Sequence, residues 1–313
     1  MKRTIFYFSL MHLFLLSNAF SNDLADEVFL DGSIHTFNQS LSIENSIAIK
    51  DGIILAVGTK SSIQKLIGEN TKVNNLEGKM MLPSFHDAHS HPIWDGINQL
   101  KCVLTDLYDL QSIKDVLRDC LESELTKSTG WIVGSGLNIG LFPSGNPNKS
   151  ILDDISKDIP IILWANDGHS GLANSKALEL ANITSDTKEP LYGVIERDLM
   201  TGEPSGTLRE SSAINAVLDL APKDTDVDYD KGLSIAQDMA HSFGITSVLE
   251  AAVGERHMAA YKRAAEREEL ELRVFTCLEY GKTSFAHDAS TFEDVYQRLE
   301  QFNHPRLNVN CVK

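Results

Sequence analysis

The chain has 313 residues, of which 42% are hydrophobic and 23% charged, and its formal net charge is −16. This length suffices for one large or two medium domains with a sizeable core. The acidic balance argues against nucleic acid and anionic membrane surfaces as partners. The acidic residues are dispersed along the chain, which indicates solubility rather than an interaction tail.

The first 21 residues differ from the rest of the chain. A basic start (MKR) precedes a short apolar stretch and then small residues (SNAFS). This pattern predicts a signal peptide over residues 1–21, because its apolar segment is short for a membrane span. A retained N-terminal anchor is the alternative. We therefore expect a secreted or periplasmic protein without stable membrane insertion after cleavage, whose oligomeric state stays open.

The four cysteines fall into two groups. Cys102 and Cys120 flank a predicted helix, and the sequence leaves open whether they form a disulfide. Cys277 and Cys311 lie inside apolar runs that resemble strands. A buried free thiol is the commoner state in such runs, so we expect these two cysteines to be reduced.

Residues 22–81 predict a small β-sandwich of short antiparallel strands. Hairpin turns are expected at Asp31-Gly32 and Asp51-Gly52, which lie between alternating apolar runs. The segment SSIQKLIGE predicts a short helix between the later strands.

Residues 82–313 predict an α/β fold. Strands are expected at MLPSFHDAH, ITSVLEA, ELRVFTCLEY and RLNVNCVK, and helical periods precede the last three. Apolar strands between helices are typical of a parallel sheet, and a (β/α)₈ TIM-type barrel is the first expectation. Residues 92–227 would form a long insertion after the first barrel strand. Only about half of the barrel would then be present, with an unpaired parallel edge, which suggests a C-terminally truncated fragment.

The segment LPSFHDAHSHP places Asp87, His89 and His91 at alternate positions of one strand, so their side chains share a face. The end of a first barrel strand is where barrel enzymes keep catalytic groups, and imidazole nitrogens suit Zn²⁺. We predict that His89 and His91 bind metal; a polar strand end that faces water is the alternative. Asp87 is expected to orient an imidazole from behind, or merely to form strand-end hydrogen bonds.

Four motifs in order give the chain a resemblance to a known family. The predicted sandwich leads into LPSFHDAHSHP, and ILWANDGHSGLANSKALELANI, GEPSGTLRE and GITSVLEA follow. This order resembles the amidohydrolase superfamily, and in particular amidohydrolase family 3, which includes N-substituted formamide deformylase-like enzymes. The resemblance covers essentially residues 25–313. Ser84 and His86 depart from the usual residues of the barrel-entry motif, and neither is expected to be a ligand.

The resemblance implies a hydrolase of non-peptide C–N bonds in small amide-like or formamide-like substrates. It would act through water activated by one or two divalent metal ions, with Zn²⁺ preferred. Lys313 would be a carbamylated, catalytic lysine that bridges two metals, or else a solvated terminus. His169 and Asn174 would face substrate from the insertion, or else satisfy backbone ends. Glu250, at the end of the second barrel strand, would bind substrate or lie on the rim.

Two other functions stay open at this stage. The first is a lactonase-like or phosphotriesterase-like metallohydrolase of the same fold. The second is a non-catalytic secreted protein or decayed fragment, favoured by the incomplete set of predicted barrel strands. The remaining metal ligands and the general base that the resemblance implies would lie beyond residue 313.

Overall fold

A computed structural model describes residues 24–278, 302 and 304–312. The chain divides into two compact units, Met1–Ser84 and Phe85–Lys313. The predicted domain boundary lies three residues earlier, after residue 81. The predicted signal peptide, Lys313 and most of the last predicted helix lie outside the described residues. Within the described part of the chain, no helix has both the length and the apolar character needed to cross a membrane.

The first unit contains two small sheets and a short helix. Its elements are β1 (Glu27–Leu30), β2 (Ser33–His35), β3 (Ile43–Glu44), β4 (Ser46–Lys50), β5 (Ile53–Gly58), α1 (Lys60–Ile63), β6 (Lys72–Asn75) and β7 (Met80–Met81). One sheet has the order β5-β4-β1-β6 and the other β3-β2-β7. Apolar side chains from β1, β4 and α1, among them Val28, Ala48 and Ile63, form its core.

One of the two predicted hairpins in this unit is present. Asp51-Gly52 joins the antiparallel strands β4 and β5, which confirms that prediction. The hairpin prediction for Asp31-Gly32 is wrong, because β1 and β2 pair in different sheets. The prediction that all strands of this unit pair antiparallel is also wrong, since β1 pairs with β6 and β2 with β7 in parallel. Pairing with strands far along the chain overrides the local turn signal.

The second unit contains ten strands and eight α-helices among its described residues. In chain order they are β8 (Phe85–Ser90), α2 (Pro92–Asn98), β9 (Cys102–Val103), α3 (Leu110–Glu122), α4 (Glu124–Thr129), β10 (Ile132–Leu137), α5 (Ser150–Asp153), β11 (Ile161–Ala165), β12 (Ser170–Ala173), α6 (Ser175–Leu180), β13 (Val194–Arg197), β14 (Pro204–Arg209), α7 (Glu210–Leu218), α8 (Asp226–Ser242), β15 (Ile245–Val253), α9 (Glu255–Glu266), β16 (Arg273–Leu278) and β17 (Leu307–Val312).

A four-stranded sheet has the order β17-β16-β15-β8, and all of its strand pairs are parallel. These are the four strands predicted for the first half of a barrel, in the predicted order. Side chains from the sheet and from α8 and α9 form a continuous core, with Leu233, Val248, Tyr261 and Val274 among its members. The closed barrel itself stays a prediction.

The long insertion forms a sheet of its own, in the order β13-β14-β12-β11-β10-β9. β9, β10 and β11 are parallel, so their carboxyl ends lie at one edge of this sheet. β12, β14 and β13 continue it in antiparallel fashion. A turn at Thr201-Gly202 joins the antiparallel strands β13 and β14.

Helices α2 and α8 approach each other at a pair of glycines. A Cβ atom added to Gly96 would lie 1.8 Å from the carbonyl oxygen of Gly232, and one added to Gly232 would lie 2.7 Å from the Ile97 side chain. Only glycine at both positions allows this backbone contact. Ile93 and Ile97 beside it are buried in the core. This face of α2 is therefore committed to packing against α8.

All four cysteines form disulfides. Cys102 pairs with Cys120 and links β9 to α3, with a Cα–Cα distance of 5.9 Å. Cys277 pairs with Cys311 at a Cα–Cα distance of 4.4 Å. The expectation of free thiols at these two positions is wrong, because parallel pairing of β16 and β17 places them opposite each other in register.

Candidate metal and substrate site

His89 and His91 lie at the carboxyl end of β8. The strand ends at Ser90, and Pro92 begins α2 directly after His91. Proline suits the first position of a helix, since its missing N–H would have no intrahelical partner there. The two imidazole rings stand edge to face with their centroids 5.6 Å apart. The strand-to-helix junction therefore holds both predicted metal ligands side by side.

A buried carboxylate lies behind His91. Nδ1 of His91 lies 3.0 Å from Oε1 of Glu250, and Glu250 faces Ser90 across the β8–β15 pairing. The hydroxyl of Tyr261 donates to the other carboxylate oxygen at 2.9 Å. Glu250 is 1% exposed and Tyr261 0%. Burial raises the pKa of Glu250, and the hydrogen bonds with His91 and Tyr261 offset this only in part.

This contact defines how His91 can bind a metal. A carboxylate that accepts from Nδ1 fixes the ring orientation and its tautomer, so that Nε2 carries the lone pair, as in the carboxylate–histidine–metal arrangement. Glu250 thus contacts a predicted ligand and does not lie on an exposed rim. Its predicted contact with substrate stays a prediction. Sequence analysis missed Tyr261, whose only signal is a hydroxyl-bearing aromatic on the buried face of α9.

Asp87 makes a local hydrogen bond. Its Oδ1 accepts from the backbone N–H of His89 at 3.0 Å. Among the described residues, no hydrogen bond joins its carboxylate to an imidazole. This is the strand-end role that was its alternative, and the buried carboxylate of Glu250 occupies the orienting position instead.

The two imidazoles fit the beginning of a divalent-metal site. Imidazole nitrogens are common ligands of Zn²⁺, and Nδ1 of His91 is held by the hydrogen bond to Glu250. Over residues 24–278, 302 and 304–312, no group of three or more His, Cys, Asp or Glu side chains is placed to hold a metal ion. Lys313, the third predicted ligand, lies outside the described residues.

The two other motifs of the resemblance converge at one edge of the insertion sheet. In the D-G-H segment, the Asp167 carboxylate accepts from the backbone of His169 at 3.0 Å and from the Ser170 hydroxyl at 2.7 Å. Burial raises the pKa of Asp167, but these hydrogen bonds outweigh it and the pKa lies below its usual value. Nδ1 of His169 lies 3.1 Å from Oε2 of Glu210, and Arg209 donates to Ser170 at 2.5 Å.

The His169 side chain is 71% exposed, so it is accessible to a substrate. Asn174, in contrast, is 0% exposed and caps α6. Its Oδ1 accepts from Ile161 and Ala177, and its Nδ2 donates to the carbonyls of Ser156 and Ile159. In this arrangement both polar atoms of the Asn174 amide bond to the backbone, which is the alternative to a contact with substrate.

A cavity of about 470 Å³ lies at the carboxyl ends of β9, β10 and β11. Its other wall is one face of α2, which contributes Trp94, Asp95, Asn98 and Gln99, and the D-G-H segment adds Asp167. The backbone N–H of Asp95 donates to the carbonyl of His91 at 3.0 Å, so this wall begins one helical turn after the ligand. Ligands of open α/β sheets bind beyond the carboxyl ends of strands. Sequence analysis did not predict this cavity.

Comparison with known proteins supports the resemblance. The model of amidohydrolase family 3 matches residues 72–313. A protein of Arabidopsis thaliana named LONG AFTER FAR-RED 3 is 33% identical over 231 residues, which are 72% of this chain and 38% of that protein. The N-substituted formamide deformylase of Arthrobacter pascens is 27% identical over 249 residues, 77% of this chain and 45% of the enzyme.

A solved structure shares the fold. An uncharacterised metal-dependent hydrolase of Pyrococcus furiosus aligns with a TM-score of 0.61 and 20% sequence identity, over 91% of this chain and 55% of that one. The chain thus spans about half the length or less of these relatives. This likeness indicates a TIM-barrel-like α/β fold, to which the four parallel strands correspond. Since the family model covers well over half of the sequence, and the motifs lie together in the second unit, the chain belongs to amidohydrolase family 3.

Proposed function

We propose that this protein is a metal-dependent hydrolase of non-peptide C–N bonds in small amide-like or formamide-like substrates. The observation that supports this most directly is the pair His89 and His91 at the end of β8, with His91 backed by the buried carboxylate of Glu250. The relative named N-substituted formamide deformylase supports the bond type. Lys313 is proposed as the bridging lysine.

The metal is proposed to be Zn²⁺, as one ion or two, because imidazole nitrogens suit this ion. A bound divalent metal lowers the pKa of a water molecule and polarises a carbonyl group. The described residues would contribute the rest: His89 and His91 hold the ion, Glu250 orients His91, and the cavity beside α2 receives part of the substrate. His169, which is exposed near that cavity, is proposed to face the substrate.

Export is proposed as well. Two disulfides support it, because disulfides persist in oxidising compartments and are rare in a reducing cytosol. The basic and apolar start of the sequence agrees with this proposal.

The test combines metal analysis with an activity panel. Zn²⁺ content after dialysis would be measured for the parent chain, for His89→Ala and for the matched control His241→Gln, which removes an exposed histidine on α8. We expect His89→Ala to lose zinc, and the parent chain and His241→Gln to retain it. The native protein would then be offered N-formyl amines, N-acyl amines, lactones and phosphotriesters. Hydrolysis confined to lactones or phosphotriesters, or zinc that His89→Ala retains, would refute the proposal.

A further inference from the structure

The cavity beside α2 has a distinctive charge. Asp95, Asp106 and Asp167 line it, and none of the described residues of its lining is Lys, Arg or His. The Asp167 carboxyl has a lowered pKa, owing to hydrogen bonds that outweigh its burial. Burial raises the pKa of the Asp95 carboxyl, which the charge of His91 offsets only in part. The negative charge of the wall therefore rests mainly on Asp106 and Asp167, and a ligand with positive charge would be attracted to it.

Two polar side chains in the lining make no hydrogen bond to another described residue. Asn98 and Ser135 are each 7% exposed and both line the cavity. Neither polar group is among the fully buried unpaired atoms of the described residues, so the small exposed part of each side chain opens into the cavity. A ligand that hydrogen-bonds to this amide and hydroxyl would satisfy both groups.

Aromatic rings complete the wall. Trp94 lines the cavity and is held edge to face by Trp164, with ring centroids 5.9 Å apart. Tyr108 also lines it, and its hydroxyl donates to Asp106 at 3.2 Å. Rings beside carboxylates are suited to an organic cation, which interacts with the ring face and the negative charge together. A volume of about 470 Å³ is in the usual range for a small-molecule site.

We infer that this cavity binds an ammonium group, and hence that the substrates of the proposed hydrolase are small molecules that carry a basic amine. That the bound molecule is a substrate rests on the proposed function; that the cavity binds an ammonium group does not. The α2 wall begins one turn after His91, so a molecule held there by its ammonium group would have to extend along α2 to reach the imidazoles. Asp106 supplies charge, Asn98 and Ser135 supply hydrogen bonds, and Trp94 supplies the ring face.

The test uses benzylammonium as the probe and benzyl alcohol as its neutral counterpart, titrated into the full chain by calorimetry in a chelating buffer. We expect one benzylammonium to bind about tenfold or more tighter than the alcohol, and more weakly as salt is raised. Asp106→Asn should weaken it by about tenfold. Asp106 has a φ of 61°, which asparagine tolerates, so this variant should fold. Asp119→Asn, an exposed carboxylate outside the cavity, is the matched control.

The outcomes are distinct. Equal binding of the alcohol, no binding of benzylammonium at millimolar concentration, or equal weakening by Asp119→Asn would overturn the inference. Because the titration needs no metal, it separates the two proposals. Ammonium binding without any C–N hydrolysis by the native protein would refute the proposed function and leave the cavity assignment standing. Hydrolysis without ammonium binding would do the reverse.

Discussion

Replacement of Glu250 by glutamine should weaken metal binding while the fold stays intact. The carboxylate accepts from Nδ1 of His91, which places the ring's proton on Nδ1 and its lone pair on Nε2. If the glutamine carbonyl keeps the hydrogen bond from Tyr261, its NH₂ group faces Nδ1. The ring must then carry its proton on Nε2, the nitrogen that the metal needs.

The size of the effect follows from the contact. The hydrogen bond is 3.0 Å long; its Glu250 side chain is 1% exposed and its His91 side chain 37%, so solvent screens the contact from one side only. Hydrogen bonds to charged groups contribute about 1.5–3 kcal/mol. Groups that orient metal ligands are commonly worth about 10–100-fold in metal affinity, and we expect a loss of zinc affinity in that range for Glu250→Gln.

The assay is competition for Zn²⁺ with a chromophoric chelator. Glu122→Gln, which changes an exposed carboxylate on α3, serves as the control and should bind zinc like the parent. Circular dichroism would verify that both variants are folded. An unchanged zinc affinity in Glu250→Gln, together with a lost affinity in His89→Ala, would show that the buried carboxylate does not set the state of His91.

Three further predictions concern stability. Tyr261→Phe leaves a buried carboxylate oxygen without its donor, so urea denaturation should show a loss of about 1–3 kcal/mol, whereas an unchanged midpoint would contradict the hydrogen bond. The Cys102–Cys120 disulfide closes a loop of 18 residues, and its replacement by two serines should lower the free energy of unfolding by about 3 kcal/mol; no shift of the thermal midpoint would count against it. Burial, followed by the charges of His91 and Arg256, lowers the pKa of His257 from 6.5 to about 4. At a pH between these two values the unfolded chain binds a proton on His257 that the folded chain does not bind. The free energy of unfolding should therefore fall by about 3 kcal/mol as the pH decreases from 6.5 to about 4. His257→Gln should lose that part of the pH dependence, and an equal change of unfolding free energy with pH in both proteins would refute the prediction.

Local patterns in the sequence predicted much of the second unit. The apolar runs that became β15, β16 and β17 were predicted from composition and helix–strand alternation, whereas β8, most of whose residues are exposed, was predicted from the alternation of its polar side chains. The turn at Thr201-Gly202 lies between strands that pair with each other, so its local signal sufficed. Asp31-Gly32 carries a similar signal, but the strands on either side of it pair elsewhere.

Contacts between distant residues could not be predicted in this way. Glu250 lies 159 positions from His91, and its burial depends on α9 covering the sheet. Cys277 and Cys311 meet only because two parallel strands pair in one particular register. The cavity is formed by three strand ends and one helix face, which no single segment of the sequence describes. Motifs thus singled out His89 and His91, whose metal binding stays a prediction, whereas the groups around them required the fold.

The glycine contact between α2 and α8 has a consequence for selectivity by length. With the carbonyl of Gly232 against Gly96, α2 has no room to slide along α8, so both of its ends keep a fixed position on that helix. At 1.5 Å per residue, the backbone positions of His91 and Asn98 lie about 10 Å apart along the helix axis. The length of α2 therefore fixes the distance between the backbones of these two residues. If the proposed site binds a molecule at both the Asn98 amide and the His91 imidazole, that molecule would have to match this span.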